Sequence, residues 1–206
     1  MNVVARGAGT VARGAGTGTR ERLLAAAREL IEEGGYGSAS VVAIAERVGV
    51  AAATLYRHFL SKEELFIEVF RDVCRGEERA MASAADAAGP SAVTRVEAVL
   101  ATFARRALQN PRLAWALLAE PVDPLVDAER LEYRRRYAEV IERELRAGIA
   151  AGEIPDQDVA FTAAALVGGC GEALVGPLSP VAAARPKPDE VVASIRAFVR
   201  RAIGAA

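Results

Sequence analysis

The run Ser40–Leu65, SVVAIAERVGVAAATLYRHFLSKEEL, constrains this chain more than any other stretch. Val41, Ile44, Ala45 and Val48 recur at helical spacing and predict a short helix with one apolar face. Gly49-Val50 breaks the pattern, because glycine takes the positive φ of a tight turn without strain. A second short helix is expected over about 52–58, with Leu55 and Phe59 four apart on one side. Two short helices joined by a glycine turn form a helix-turn-helix, which offers its second helix to a DNA major groove. Ser61-Lys62-Glu63-Glu64 then reads as a capping box opening the next helix, with Ser61 accepting from a free N–H and Glu64 reaching back.

The match extends beyond the helix-turn-helix alone. The run IAERVG-V-x3-TLYRHF-x-SKEEL, with Thr19–Ala27 and Gly35-Tyr36 upstream, resembles the DNA-binding domain of the TetR family of transcriptional regulators. The resemblance covers roughly residues 19–66; the remainder agrees only in length and helical character. It implies an all-α fold: a small three-helix DNA-binding domain with a helix-turn-helix, and a larger helical domain for ligand binding and dimerisation. The expected division is a flexible arm over 1–18, a DNA-binding head over 19–66, and an effector-binding and dimerisation domain over 67–206.

By the same resemblance, Tyr56, His58 and Lys62 hold the phosphate backbone, which sets register but not sequence. Ala51, Ala52, Ala53 and Thr54 fall nearest the bases, and Ser40 and Arg57 complete the DNA-contacting set. Here the chain departs from the family pattern, which favours Ser or Thr at position 51 and often a polar residue at 52. Three alanines forfeit an N-cap worth about 1 kcal/mol and offer the bases only methyl groups. Direct readout then falls to thymine-methyl contacts, Thr54 and Arg57, with DNA shape beside them.

A chain of 206 residues allows one or two domains and a sizeable core. Aromatics at 5% and abundant alanine favour helices packed closely through small side chains. No apolar run is expected to reach the length of a membrane span, and the N-terminus lacks the apolar segment of a secretory signal. Cys74 and Cys170 fit no metal spacing and predict reduced thiols in a cytoplasm. His58 is the single histidine, which leaves little for metal or triad chemistry, so neither a cofactor nor an enzyme activity is expected. The net charge is −1, but residues 1–62 carry eight Lys/Arg against five Asp/Glu, and a basic end fits DNA contact.

Along the chain, VARGAGT at 4–10 is repeated at 11–17 and has no apolar face, hence the flexible arm. Its Arg6 and Arg13, with Arg20, could follow DNA phosphates; a plain leader is the simpler account. Thr19 is expected to cap a helix reaching Glu33, Tyr36 to pack on the small core, and Ser40 to cap the next helix. A long helix from Lys62 to about Asp86 is shared by both domains. Ser91, Asn110-Pro111, Asp123-Pro124 and Asp156 or a neighbour mark four further helix starts, over about 92–109, from 111 to near 120, from 124 to near 151, and over 157–175. Residues 176–188 read as a loop, and 189–203 as a last helix.

The middle helices, by resemblance, enclose an effector pocket to which Phe103, Trp115, Leu118, Tyr137 and Phe161 are assigned; spacing alone makes each an equally good core residue. Glu120 reads as an exposed carboxylate at a helix end, or, if buried, as a partner for a cationic ligand. Arg105 and Arg106 either face water or meet an anion, and Arg134–Arg136 among Glu129, Glu132 and Glu139 read as a solvated face. The last two helices resemble the family's dimer-forming pair, a four-helix bundle across a two-fold axis. The expected function is that of a dimeric DNA-binding regulator, a repressor released from its operator by a small apolar or amphipathic effector. The alternative is a ligand-independent DNA-binding protein or co-regulator of the same fold, which a middle domain without a cavity would favour.

Overall fold

The computed structural model describes residues 14–182 and 185–205, and among them the regular structure is helical throughout. In chain order the α-helices are α1 (Gly14–Gly34), α2 (Val41–Val48), α3 (Ala52–Leu55), α4 (Lys62–Ala87), α5 (Ala92–Gln109), α6 (Pro111–Leu118), α7 (Pro124–Ala150), α8 (Val159–Leu178) and α9 (Pro188–Ala202). A 3-10 turn over Tyr36–Ser38 joins α1 to α2. Helix α1 packs on α2 and on α6, and α4 carries the chain into the larger domain, where α5 lies among α4, α7, α8 and α9.

Most helix starts follow the sequence signals. Ser40 Oγ accepts from the Ala43 N–H at 3.1 Å and Ser61 Oγ from the Glu64 N–H at 3.2 Å, each satisfying a free first-turn donor. Asn110 and Asp123 cap α6 and α7, each with proline at the first helical position. Four expectations change. Helix α1 is already formed at Gly14, five residues before Thr19, so residues 14–18 of the expected arm are helical; the rest of that arm, with Arg6 and Arg13, lies outside the described residues. The cap of α8 is Asp158 rather than Asp156, with its carboxylate accepting from the Phe161 N–H at 3.0 Å. Helix α8 also runs on to Leu178, three residues into the expected loop. Pro177 is tolerated in this last turn, and the Ser179 N–H still closes on the Val175 carbonyl at 3.0 Å. Ser91 makes no cap of its own: the Glu153 carboxylate accepts from both Ser91 Oγ at 2.8 Å and the Ala92 N–H at 2.9 Å.

One core runs through head and larger domain, from Leu23, Ile44, Leu55 and Leu65 to Leu100, Ile141, Leu166 and Val199. Buried charge is paired. Glu97 on α5 meets Arg200 at 2.7 Å and Arg196 at 3.7 Å on α9, and Glu144 on α7 meets Arg95 at 2.6 Å and Arg143 at 2.7 Å. The expected solvated face is present on α7, where Arg135 pairs with Glu132 at 2.8 Å and with Glu139.

Helix α8 corrects the expectation about apolar runs. A stretch of this 20-residue helix reaches a mean hydropathy of 1.6, long and apolar enough to span a membrane by length and composition alone. Its valines and leucines supply most of that value, with alanines adding to it. The buried positions Ala163, Leu166, Cys170, Leu174 and Leu178 keep to one stripe, as in a helix packed on one face. Both thiols, Cys74 and Cys170, are buried and free, and burial pushes each up to about 12.

Candidate DNA-binding surface and effector cavity

The head is built around a turn that only glycine accommodates well. Gly49 has φ 75° and ψ 38°, its N–H bonds back to the Glu46 carbonyl, and the Val50 N–H bonds back to Ala45 at 2.9 Å. This left-handed closure stops α2 and sets the angle at which α3 leaves. Ile44, Ala45, Val48, Leu55 and Phe59 face inward. Of the candidate DNA contacts, Ser40, Ala51, Ala53, Tyr56 and Arg57 are exposed, while Ala52, Thr54, His58 and Lys62 are partly exposed. Regular α3 ends at Leu55, earlier than expected. The chain continues as turns in which the Arg57 and His58 N–H groups reach Thr54 and Leu55, the shorter i to i−3 closure that tightens a helix end. Ala51 takes the extended N-cap conformation but supplies no capping bond, as its side chain dictates.

Lys62 stands at the start of α4 with its ammonium 5.2 Å from the Tyr36 ring centroid and 4.9 Å from that of Phe66. Two aromatic faces thus hold a cation at the surface of the head. Tyr36 packs on Phe66 at 4.4 Å, as expected for a core-capping residue. Its phenol pKa is raised by burial first and then by Glu63 and Asp123.

The larger domain holds a cavity of about 500 Å³ that opens to solvent beside Arg28 of α1, within the range of small-molecule sites. Its apolar wall comes from Phe70, Val73, Phe103, Leu113, Leu117 and Leu118, and from the rings of Tyr133 and Tyr137. Each tyrosine hydroxyl donates to α4: Tyr133 to the Arg71 carbonyl at 3.2 Å and Tyr137 to the Cys74 carbonyl at 3.3 Å. These bonds satisfy the polar end of each ring and leave its face to the cavity. Burial raises the Tyr137 pKa, so its hydroxyl stays a donor at neutral pH. From α8, Gly168 and Gly171 line the space, and a Cβ at either would meet nothing within 4 Å.

The charged lining comprises Arg28, Arg106, Arg130 and Arg134 with Glu77 and Glu172. Arg106 is paired with Glu77 at 2.6 Å, which raises the arginine pKa further. Arg130 is largely consumed by the end of α6, donating to the carbonyls of Ala116 and Leu117 at 2.8 Å and of Glu120 at 2.6 Å.

Of the five residues assigned to the pocket, Phe103, Leu118 and Tyr137 line the cavity. Trp115 and Phe161 do not: Trp115 packs partly buried on the core, and Phe161 is 72% exposed at the first turn of α8. Helical period alone left it open which face of α8 is inward, and the packing against α7 puts Phe161 outside. Glu120 is also not an exposed carboxylate. Its side chain is 17% accessible and accepts from the Tyr36 N–H at 3.0 Å. Sequence reasoning missed Phe70 and Tyr133 as cavity residues, although both were visible as apolar positions on their helices.

The family model for bacterial regulatory proteins of the tetR family matches residues 23–69. That for the tetracyclin repressor-like C-terminal domain matches residues 89–174. The chain is 31% identical to the HTH-type transcriptional regulator UidR of Escherichia coli K12 over 152 residues, which is 72% of this chain and 76% of that protein. It is 33% identical over 98 residues to the HTH-type transcriptional repressor KstR of Rhodococcus jostii, 48% of this chain and 45% of that one. The fold is similar to that of the transcriptional regulator FadR from Bacillus subtilis in complex with stearoyl-CoA, with a TM-score of 0.73 and 21% identity over 90% of this chain and 98% of that one. The helix-turn-helix head, the helical domain behind it and these matches converge, and the chain belongs to the TetR family of DNA-binding transcriptional regulators.

Proposed function

We propose that this regulator is a homodimeric, cytoplasmic repressor whose operator grip is released by an amphipathic effector bound in the α4–α8 cavity. The cavity carries the reading: a half-open pocket of about 500 Å³ with an aromatic and aliphatic wall has the size and character of a small-molecule site. Its polar lining sits beside that apolar wall, with Arg106 held by Glu77, Arg28 by Glu32 and Arg130 by the α6 carbonyls, a mixture that suits an amphipathic ligand. The stearoyl-CoA named with the FadR structure has that chemistry. Tyr56, His58 and Lys62 contact phosphates, while Ser40, Ala51–Ala53, Thr54 and Arg57 lie against the groove. The partner copy covers the outer faces of α8 and α9, where Phe161 and Phe198 are exposed.

The effector acts only through a difference in affinity between the DNA-competent and released states. Fluorescence anisotropy on a duplex from upstream of the protein's own coding sequence, against a scrambled duplex at two salt concentrations, tests the reading. Salt-resistant preference for the native duplex, abolished by stearoyl-CoA, is expected. Equal and salt-sensitive binding to both duplexes would move the co-regulator reading ahead.

A further inference from the structure

The turn between α1 and the helix-turn-helix is gripped from the larger domain by two side chains of opposite charge. The Gly34 carbonyl, at the C-terminus of α1, accepts from Arg112 Nη2. Two residues on, the Tyr36 N–H donates to Glu120 Oε2 at 3.0 Å. Arg112 opens α6 and Glu120 follows its C-terminus, and their charged ends stand 4.0 Å apart. Gly35 lies between them with φ 84°, and a Cβ there would come within 2.7 Å of Glu120 Oε2. Both the backbone angle and the space therefore call for glycine.

Each end of this grip continues into a functional region. On the cavity side, Arg130 binds the carbonyls of Ala116, Leu117 and Glu120, and Arg130 with Leu117, Leu118 and Ala119 lines the cavity wall. On the head side, Tyr36 packs tilted against Phe66 and lies under the Lys62 ammonium. Helix α4 runs from head to larger domain as one continuous rod, and the packing of α1 on α6, which Arg112 and Glu120 close with hydrogen bonds, fixes rotation about that rod.

We propose that Glu120, seconded by Arg112, is a positioning residue for DNA binding: it fixes the angle of the head and passes movement of the α6 C-terminus to Tyr36 and Lys62. This rests on the reading of the cavity as the effector site and names the joint through which that site acts.

The test uses the full chain with Glu120→Ala and Glu120→Gln, the glutamine keeping one acceptor oxygen should the alanine variant fail to fold. Anisotropy is read on the duplex from upstream of the coding sequence, and hydrogen exchange on peptides spanning 34–40 and 56–66. Glu120→Ala is expected to weaken duplex binding at least fivefold with an unchanged salt slope, since no phosphate contact is lost. Glu120→Gln falls between it and wild type, and exchange quickens in both peptides. Wild-type affinity with faster exchange confined to 34–40 would overturn the proposal and reduce Glu120 to a local cap. If wild type shows no preference for the duplex while exchange in Glu120→Ala still spreads to 56–66, the joint stands and the operator reading falls.

Discussion

In the head, Ser40 and Ser61 cap their own helices with bonds to residues three positions on, whereas in the larger domain the cap of α5 arrives from Glu153, 61 residues away. The charges divide less cleanly, since Arg20–Glu68 and Arg47–Glu33 also tie the head across the chain. Glu64 reaches back locally, but it accepts from the Leu60 N–H, one residue before the Ser61 cap, rather than from Ser61 itself. Glu97, Glu144 and Arg130 instead tie α5, α7 and α9, or α6 and α7, across long stretches of chain. The head's helix starts follow signals in neighbouring residues, and its surface is carried on the inward Ile44, Leu55 and Phe59. A body held by distant pairs can keep its helices apart around a void, because those pairs and the tyrosine hydroxyls set the spacing that close packing would otherwise close.

The largest effect is expected at Ile141, fully buried on α7. Ile141→Ala is expected to cost about 2–5 kcal/mol of stability. Thermal unfolding would show it, and operator binding well below the midpoint is expected to survive; simultaneous loss of both would mean that head and body are not separable in this way.

A smaller effect is expected at Glu144. Burial pushes its pKa up, but Arg95 and Arg143 outweigh this and leave the carboxyl below its ordinary value of 4.5. A carboxylate with a lowered folded pKa stabilises above the unfolded value, and that contribution is lost as pH falls through the folded one. Glu144→Gln is therefore expected to lose on the order of 1–3 kcal/mol at neutral pH and to flatten the acid limb of the stability curve below about pH 4.5. Parallel acid limbs in the two proteins would remove Glu144 from the account.

The smallest change sharpens the other side. Ser40→Ala removes one cap, worth about 1 kcal/mol, from a helix whose contacts lie within the head. Weaker operator binding with little change in the unfolding midpoint is expected in side-by-side titrations and melts. A midpoint shift as large as that of Ile141→Ala would show that the head's local bonds also hold the body.

Legibility follows the same divide. The bounds of α2, α6 and α7 are readable because their caps, prolines and stops are chemical signals carried by the residues themselves. The early start of α1 was not, since a glycine-rich repeat gives no apolar period to read. Ser91 has the chemistry of a cap, yet its hydroxyl turns to Glu153, a choice that depends on α7 ending beside it. Of the pocket residues, Phe103, Leu118 and Tyr137 were named in advance, but Phe161 has the same composition-level signal and lies outside.

The sequence by itself determined the helix-turn-helix, its glycine turn, the all-helical class and the uncapped alanine start of the recognition segment, because each rests on bonds or sterics spanning five residues or fewer. Only the tertiary structure decided that a cavity exists, which aromatic rings face it, and that Glu120 reaches across to Tyr36. These are matters of which faces meet, and a helical period specifies a face without naming its partner.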